Sequence, residues 1–229
     1  MFKTILFIIA VLTITIFIHE FGHYAAFKAN GLQVAEVSVG IGPSLYNISF
    51  GETKFTLRPI VLAGYTRPAN MEAHREKSNL AKTIIHLAGI ISNFLAAALV
   101  LAVVQRVNIF STISAVFLSC IGYLIALVTS VIPFLKTKPY FTGLIELPTH
   151  LKNSFIKEFI LISIMLAAFN ILPLYPLDGS RVVSDFVYPM LSANAIWWLE
   201  TVMQVLLLWL FAFGSSSKNG FDPIRYCDD

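Results

Sequence analysis

His19, Glu20 and His23 stand together in the run His19-Glu20-Phe21-Gly22-His23. Residues four apart share one face of an α-helix, so the two imidazoles can offer nitrogens to one metal while the carboxylate stands beside them. This is the H-E-x-x-H arrangement of zinc hydrolases. Two histidines and a water leave a tetrahedral zinc one protein ligand short. His86, Glu158, Asp178, Asp185 and Glu200 are the ionisable residues inside or beside other apolar runs that can complete it. Asp178 stands out because it closes the stretch Asn170-Ile171-Leu172-Pro173-Leu174-Tyr175-Pro176-Leu177-Asp178-Gly179, where two prolines interrupt a helix and Gly179 permits a tight turn. Broken helix at membrane depth is expected only where it lines a cavity or a site. His86 is the rival third ligand and is read as a histidine hydrogen-bonded in a helix interface. Glu158 and Glu200 are read as span-end residues among the headgroups.

The elements that must position these groups are apolar. Of 229 residues 57% are hydrophobic and only 13% charged, where soluble domains carry roughly 25% charged residues. Mean hydropathy is +0.76. These values exclude an ordinary soluble domain, and the net charge of +3, spread along the chain, excludes a nucleic-acid partner. Cys120 lies in an apolar run and Cys227 near the C-terminus, so no intramolecular disulfide is expected. Five apolar runs occur, at Thr4–Ile18, Leu80–Val104, Ser111–Leu135, Phe159–Leu177 and Ala195–Phe213. The first follows Lys3 like the core of a signal peptide, but His19 to His23 stand where a cleavage site of small residues would be. It is therefore read as an uncleaved span reaching about Phe27. At about 1.5 Å per residue, Thr4–Ile18 covers roughly 22 Å of a hydrocarbon layer about 30 Å thick, so His19 falls within its far part. Three ionisable groups there cost several kcal/mol unless they are paired or bind a metal. Between the first two runs, Val34–Tyr65 alternates β-branched stretches with Gly40, Gly42-Pro43 and Gly51, which predicts two or three short strands with tight turns beside the membrane.

Taken in order, these motifs resemble the site-2 proteases, zinc metalloproteases that cut transmembrane segments. His19 to His23 resembles the family's zinc motif, and Val37-Ser38-Val39-Gly40-Ile41-Gly42-Pro43 its glycine-rich loop. Gly64-Tyr65 resembles the end of its membrane-associated β-hairpin. Ala88-Gly89-Ile90-Ile91-Ser92-Asn93-Phe94 is similar to its A-G-P-x-x-N-F span, and Asn170 to Gly179 to its N-x-x-P-x-x-x-L-D-G motif. The resemblance covers most of residues 1–190. It implies that His19, His23 and Asp178 bind Zn2+, that Glu20 activates water, and that Asn170, with Asn93 beside it, holds substrate or the developing oxyanion. Two departures, Ile90 in place of proline and Ser180-Arg181 after Asp178-Gly179, touch none of these ligands. Arg106 to Lys157 leaves no room for the PDZ module many bacterial members carry there.

The expected fold is an all-α polytopic membrane protein with about four transmembrane helices, near residues 4–27, 80–104, 158–178 and 195–213. A small membrane-associated sheet or β-hairpin at 34–65 and one peripheral or re-entrant helix at 111–135 complete a single domain over 1–213, with a polar tail at 214–229. The helix at 111–135 is a point of conflict. If it crosses, Lys and Arg divide 13 to three between the two sides, and if not, eight to eight, so the positive-inside rule favours crossing. Closure of the site requires the opposite, because His19 and Asp178 both lie at the far ends of their spans. The expected function is intramembrane zinc endopeptidase acting on single-span membrane proteins in regulated intramembrane proteolysis. The expected place is a bacterial cytoplasmic membrane, with the active site toward the cytoplasm. The alternative is a metal-binding membrane protein without hydrolytic activity, a transporter or a scaffold. Against a transporter, the spans carry neither inverted repeats nor polar residues throughout.

Overall fold

A computed structural model describes residues 2–131 and 154–214. Helix α1 (Phe2–Ala29) carries the H-E-x-x-H run near its C-terminal end. It stops at a left-handed Gly31, where the Leu32 N–H returns to the Phe27 carbonyl and the Gly31 N–H to that of Lys28, the backbone pairing that closes a helix when glycine supplies the turn. Four strands follow, β1 (Val34–Ile41), β2 (Tyr46–Phe50), β3 (Thr53–Leu57) and β4 (Ile60–Pro68), in place of the two or three expected. They form one mixed sheet in the order β2-β3-β1-β4, with β1 parallel to β3 and the other pairs antiparallel. The extra strand is β4, whose Gly64 and Pro68 punctuate a nine-residue element that β1 holds in register.

A short helix α2 (Met71–Arg75), capped by the Asn70 side chain, leads into α3 (Asn79–Gln105), α4 (Ile109–Val131) and α5 (Ser154–Asn170). Then come α6 (Asp178–Val187), one 3-10 turn at Tyr188–Met190 and α7 (Ala193–Gly214). Helices Lys3–Ala29 and Asn79–Gln105 are long and apolar enough to cross a membrane. They run antiparallel, since Ile18 accepts a hydrogen bond from Ser92 while Ile85 lies level with His23. In contrast, α5 runs with α1, as Phe7 meets Phe155 at one end (centroids 5.8 Å apart) and His19 meets Asp178 at the other. The expected span at 158–178 is in fact divided: α5 ends at Asn170, and Asp178 opens the separate helix α6.

Helix α4 packs lengthwise against α3 and α5, with Phe117 on Phe94 and Cys120 against the Ile164 carbonyl. Its apolar side chains find partners on both neighbours. Val116 is fully buried there. Residues 132–135 of the expected 111–135 segment, and the polar tail expected beyond Gly214, lie outside the described residues. Two apolar clusters hold the described parts together. One joins α1, α3, α4 and α5 through Val11, Ala98, Leu101, Val116 and Ile160. The other joins α1, β1 and α3 through Phe27, Val34, Val37 and Ile85. His19, Glu20 and His23 of α1 sit between the two, and α1 turns Ile5, Leu6, Ile8, Ile9 and Ile14 outward, the surface a helix presents to lipid rather than to water.

Candidate metal centre

On one turn of α1, His19 and His23 are buried, with ring centroids 4.9 Å apart. Their Nε2 atoms stand 3.2 Å from each other and 2.9 and 3.1 Å from one carboxylate oxygen, Oδ2 of Asp178. Across the described residues these are the only three histidine, cysteine or carboxylate ligands that converge on one point. The chemistry of the three atoms tests whether a metal fits. His23 Nδ1–H donates to the Ile85 carbonyl at 2.7 Å, which leaves Nε2 as a lone pair. Asp178 contributes a second acceptor, and His19 a third if its own proton sits on Nδ1. Three acceptors 2.9–3.2 Å apart repel one another unless a cation lies between them, and two imidazoles with one carboxylate are a donor set that Zn2+ takes. The residues fit zinc.

Asn93 bears on the tautomer of His19. Its side chain is wholly buried, its amide nitrogen Nδ2 lies 3.3 Å from His19 Nδ1, and its Oδ1 has no partner. Amide orientation is assigned from such networks. Turning the amide over makes Oδ1 the acceptor of His19 Nδ1–H, which satisfies the orphaned oxygen and frees Nε2 for metal in one step. Ile85 and Asn93 thus do for the two histidines what outer partners of metal ligands do elsewhere: they fix ring orientation and protonation.

Helix α3 supplies both partners, and it comes close enough only because of glycines. A Cβ on Gly89 would meet Nε2 of both histidines, and one on Gly22 would meet the Ala88 carbonyl and Ser92. Sheet strand β4 supplies the rest. Thr66 donates to a carboxylate oxygen of Glu20 at 2.8 Å, and Gly64 leaves room for the same side chain. Glu20 is 5% exposed, so one hydroxyl and the neighbouring imidazoles set its environment.

The remaining sequence candidates fall elsewhere. His86 and Asp185 face each other at 3.1 Å, Glu200 accepts from Tyr188, and Glu158 lines an apolar recess with Thr4, Phe7 and Val11 near the N-terminal end of α1. Asn170 donates to the Leu166 carbonyl at the end of α5. Sequence reasoning missed Thr66 and the Ile85 carbonyl. A threonine in a strand and a main-chain oxygen carry no pattern that marks them, and only the crossing of α1 over β4 and α3 brings them to the site.

Comparison with known proteins gives the same outline. The family model described as peptidase family M50 matches residues 7–210. A candidate zinc metalloprotease of Fusobacterium nucleatum is 30% identical over 112 residues, covering 46% of this chain and 33% of that protein. The zinc metalloprotease RasP of Shouchella clausii is 35% identical over 70 residues, 31% of this chain and 17% of that protein. The chloroplastic membrane metalloprotease ARASP of Arabidopsis thaliana is 32% identical over 107 residues, 42% of this chain and 24% of that protein. The matched stretches therefore span a third or less of the length of these relatives.

Proposed function

The chain belongs to peptidase family M50, the site-2 proteases, and from that premise we propose that it is an intramembrane zinc metalloendopeptidase. Its substrates are single-span membrane proteins, cut within the bilayer as a step of regulated intramembrane proteolysis. Its place is a bacterial cytoplasmic membrane, with the site toward the cytoplasm. The observation that carries the proposal is the convergence of His19, His23 and Asp178 within 3.2 Å next to a buried glutamate that none of them needs as a ligand. A metal carrier or scaffold has no use for Glu20.

His19, His23 and Asp178 would hold Zn2+, which supplies Lewis acidity toward water and toward the scissile carbonyl. Glu20 takes a proton from the attacking water and returns it to the leaving amine. Thr66 holds one oxygen of Glu20, leaving the other to do this. Asn93 orients His19, and Asn170 stands at the break after α5, where it donates to the Leu166 carbonyl. A peptide bond in a helix is shielded, so the substrate must be drawn out. The strand order leaves one edge of β4 without a described partner, on the strand whose Gly64 and Thr66 flank Glu20. That edge offers main-chain groups for strand addition.

The test is cleavage of a model single-span substrate by purified protein in liposomes. Cleavage should stop with a zinc chelator, return with Zn2+ and be absent in Glu20→Gln. Chelator-insensitive cleavage would overturn the metal dependence, and no cleavage by wild type across several substrates would return the chain to the scaffold reading. For topology, cysteines placed at Ala73 and Thr142 are expected to label from opposite sides of the membrane, as closure of the site requires.

A further inference from the structure

Asp178 reaches the histidines from α6, a helix of ten residues, too short to hold itself in water. The segment before it, residues 171–177, contains two prolines and is not helical. No side chain caps the helix at Leu177. Something other than local structure must therefore fix where the first turn of α6 points. Two turns further on, Asp185 lies on the same face as Asp178, seven residues away. It stands beside two side chains of α3, with Lys82 Nζ 3.5 Å from Oδ1 and His86 Nε2 3.1 Å from Oδ2, an oxygen that makes no hydrogen bond and is held by charge and proximity alone. All three are largely covered, with side-chain exposures of 18, 13 and 9%. His74 from α2 sets its ring edge-on to His86 at 5.7 Å and closes the group from outside.

The α3 residues that make this grip continue the face that holds the metal centre. Lys82 and His86 precede Gly89 and Asn93 along one side of the helix, and Ile85, the neighbour of His86, accepts from His23. One rigid helix thus orients both histidines and, through Asp185, the helix bearing the third ligand.

We propose that Asp185, paired in charge with Lys82 and packed beside His86, is a positioning residue that seats α6 on α3 and so sets how well Asp178 completes the metal site. The inference rests on the reading of His19, His23 and Asp178 as zinc ligands. Exposed ion pairs contribute little, but this one is covered and ties the short ligand-bearing helix α6 to α3, which reaches both histidines.

The experiment compares detergent-purified wild type with Asp185→Asn, Lys82→Met and the double variant. Three quantities are read: zinc affinity in competition with a chromophoric chelator, the visible spectrum of the cobalt(II)-loaded protein, and the melting temperature of the metal-free protein. Loss of an outer partner of a ligand typically weakens metal about 10–100-fold. Asp185→Asn is expected to weaken zinc at least about tenfold and to shift the cobalt bands. Lys82→Met should weaken it less, and the double variant no more than Asp185→Asn, since Lys82 acts through Asp185. Asp185→Glu should recover part of the loss. If Asp185→Asn fails to fold, Lys82→Met and His86→Gln carry the test, each expected to weaken zinc and shift the cobalt bands to a smaller extent. Unchanged zinc affinity and cobalt spectrum with a lower melting temperature of the metal-free protein would overturn the inference, leaving a structural ion pair only. Wild type that binds no zinc overturns the zinc reading itself, a result distinct from tight binding by wild type and variants alike.

Discussion

Two carboxylates largely withdrawn from solvent, the partly buried Asp178 and the buried Glu36, show how differently this chain treats charge taken out of water. Glu36 lies in β1 on the face of the sheet turned away from α1. Its oxygens accept from Thr56 at 2.8 Å, Arg58 at 3.0 Å and Tyr65 at 2.8 Å, with Arg67 at 3.6 Å. Burial alone would raise its pKa, but the hydrogen bonds from Thr56, Tyr65 and Arg58 and the charge of Arg58 hold it below the usual glutamate value. Both oxygens there accept hydrogen bonds and two guanidinium charges stand beside them, so the cluster is complete as it stands. At Asp178 the neighbours are two imidazole nitrogens, that of His23 left as a lone pair by the proton given to the Ile85 carbonyl and that of His19 left so once the Asn93 amide is turned over. That cluster is an arrangement of acceptors and requires a cation. A buried charge satisfied by its own chain is scaffold, whereas one left with converging lone pairs is a site.

The contrast can be broken in order of effect. The largest change belongs to the acceptor cluster. Asp178→Asn is expected to lose both zinc and cleavage, while Glu20→Gln keeps zinc and loses about 10²–10⁴-fold in turnover, the range of general-base catalysis. Metal content and single-turnover cleavage separate the two. Gly89→Ala comes next. Its methyl would meet both Nε2 atoms, so zinc content should fall with little loss of helix content by circular dichroism. Thr66→Val removes one hydrogen bond from a charged group, a loss of about 1.5–3 kcal/mol if fully expressed. A roughly tenfold drop in kcat with KM nearly unchanged is expected.

Glu36→Gln marks the small end on activity and tests the other half of the comparison. It should leave zinc affinity and cleavage near wild type and lower thermal stability by about 1–3 kcal/mol, because Arg58 loses its counter-charge. The pH dependence has a definite sign. Since the carboxyl's pKa is depressed in the folded protein, its contribution is present above the ordinary glutamate range and lost as pH falls through the folded-state value. Melting curves of wild type and Glu36→Gln should therefore differ most at neutral pH and converge in acid. A variant that lost zinc while keeping its fold would show that the two clusters are coupled after all.

Much of the helical part was legible because its information is local. Apolar runs announce α1, α3 and α7 to within a few residues, and four-residue spacing alone puts His19 and His23 on one face. The β segment was harder to read. Gly40, Gly42 and Gly51 mark turns, but β4 follows from its register with β1, so the strand count was low. The break after Asn170 was visible in Pro173 and Pro176, yet the assignment of Asp178 to the end of one span gave way to a new helix, because only its contact with α3 makes that short segment hold.

By itself the sequence determined the chemistry available: two histidines and a glutamate on one helical turn, an aspartate beyond a proline break, and too few charges elsewhere for their placement to be incidental. Helical periodicity is set by neighbours three and four residues apart, so these features need no knowledge of the fold. Only the tertiary structure decided which proton each histidine carries, through Ile85 and Asn93, and which hydroxyl steadies Glu20. It also decided that Asp185 meets Lys82 and His86 instead of the metal centre. Those pairings join residues 46 to more than 100 positions apart, and nothing along the chain specifies them until α1, α3 and the sheet pack against one another.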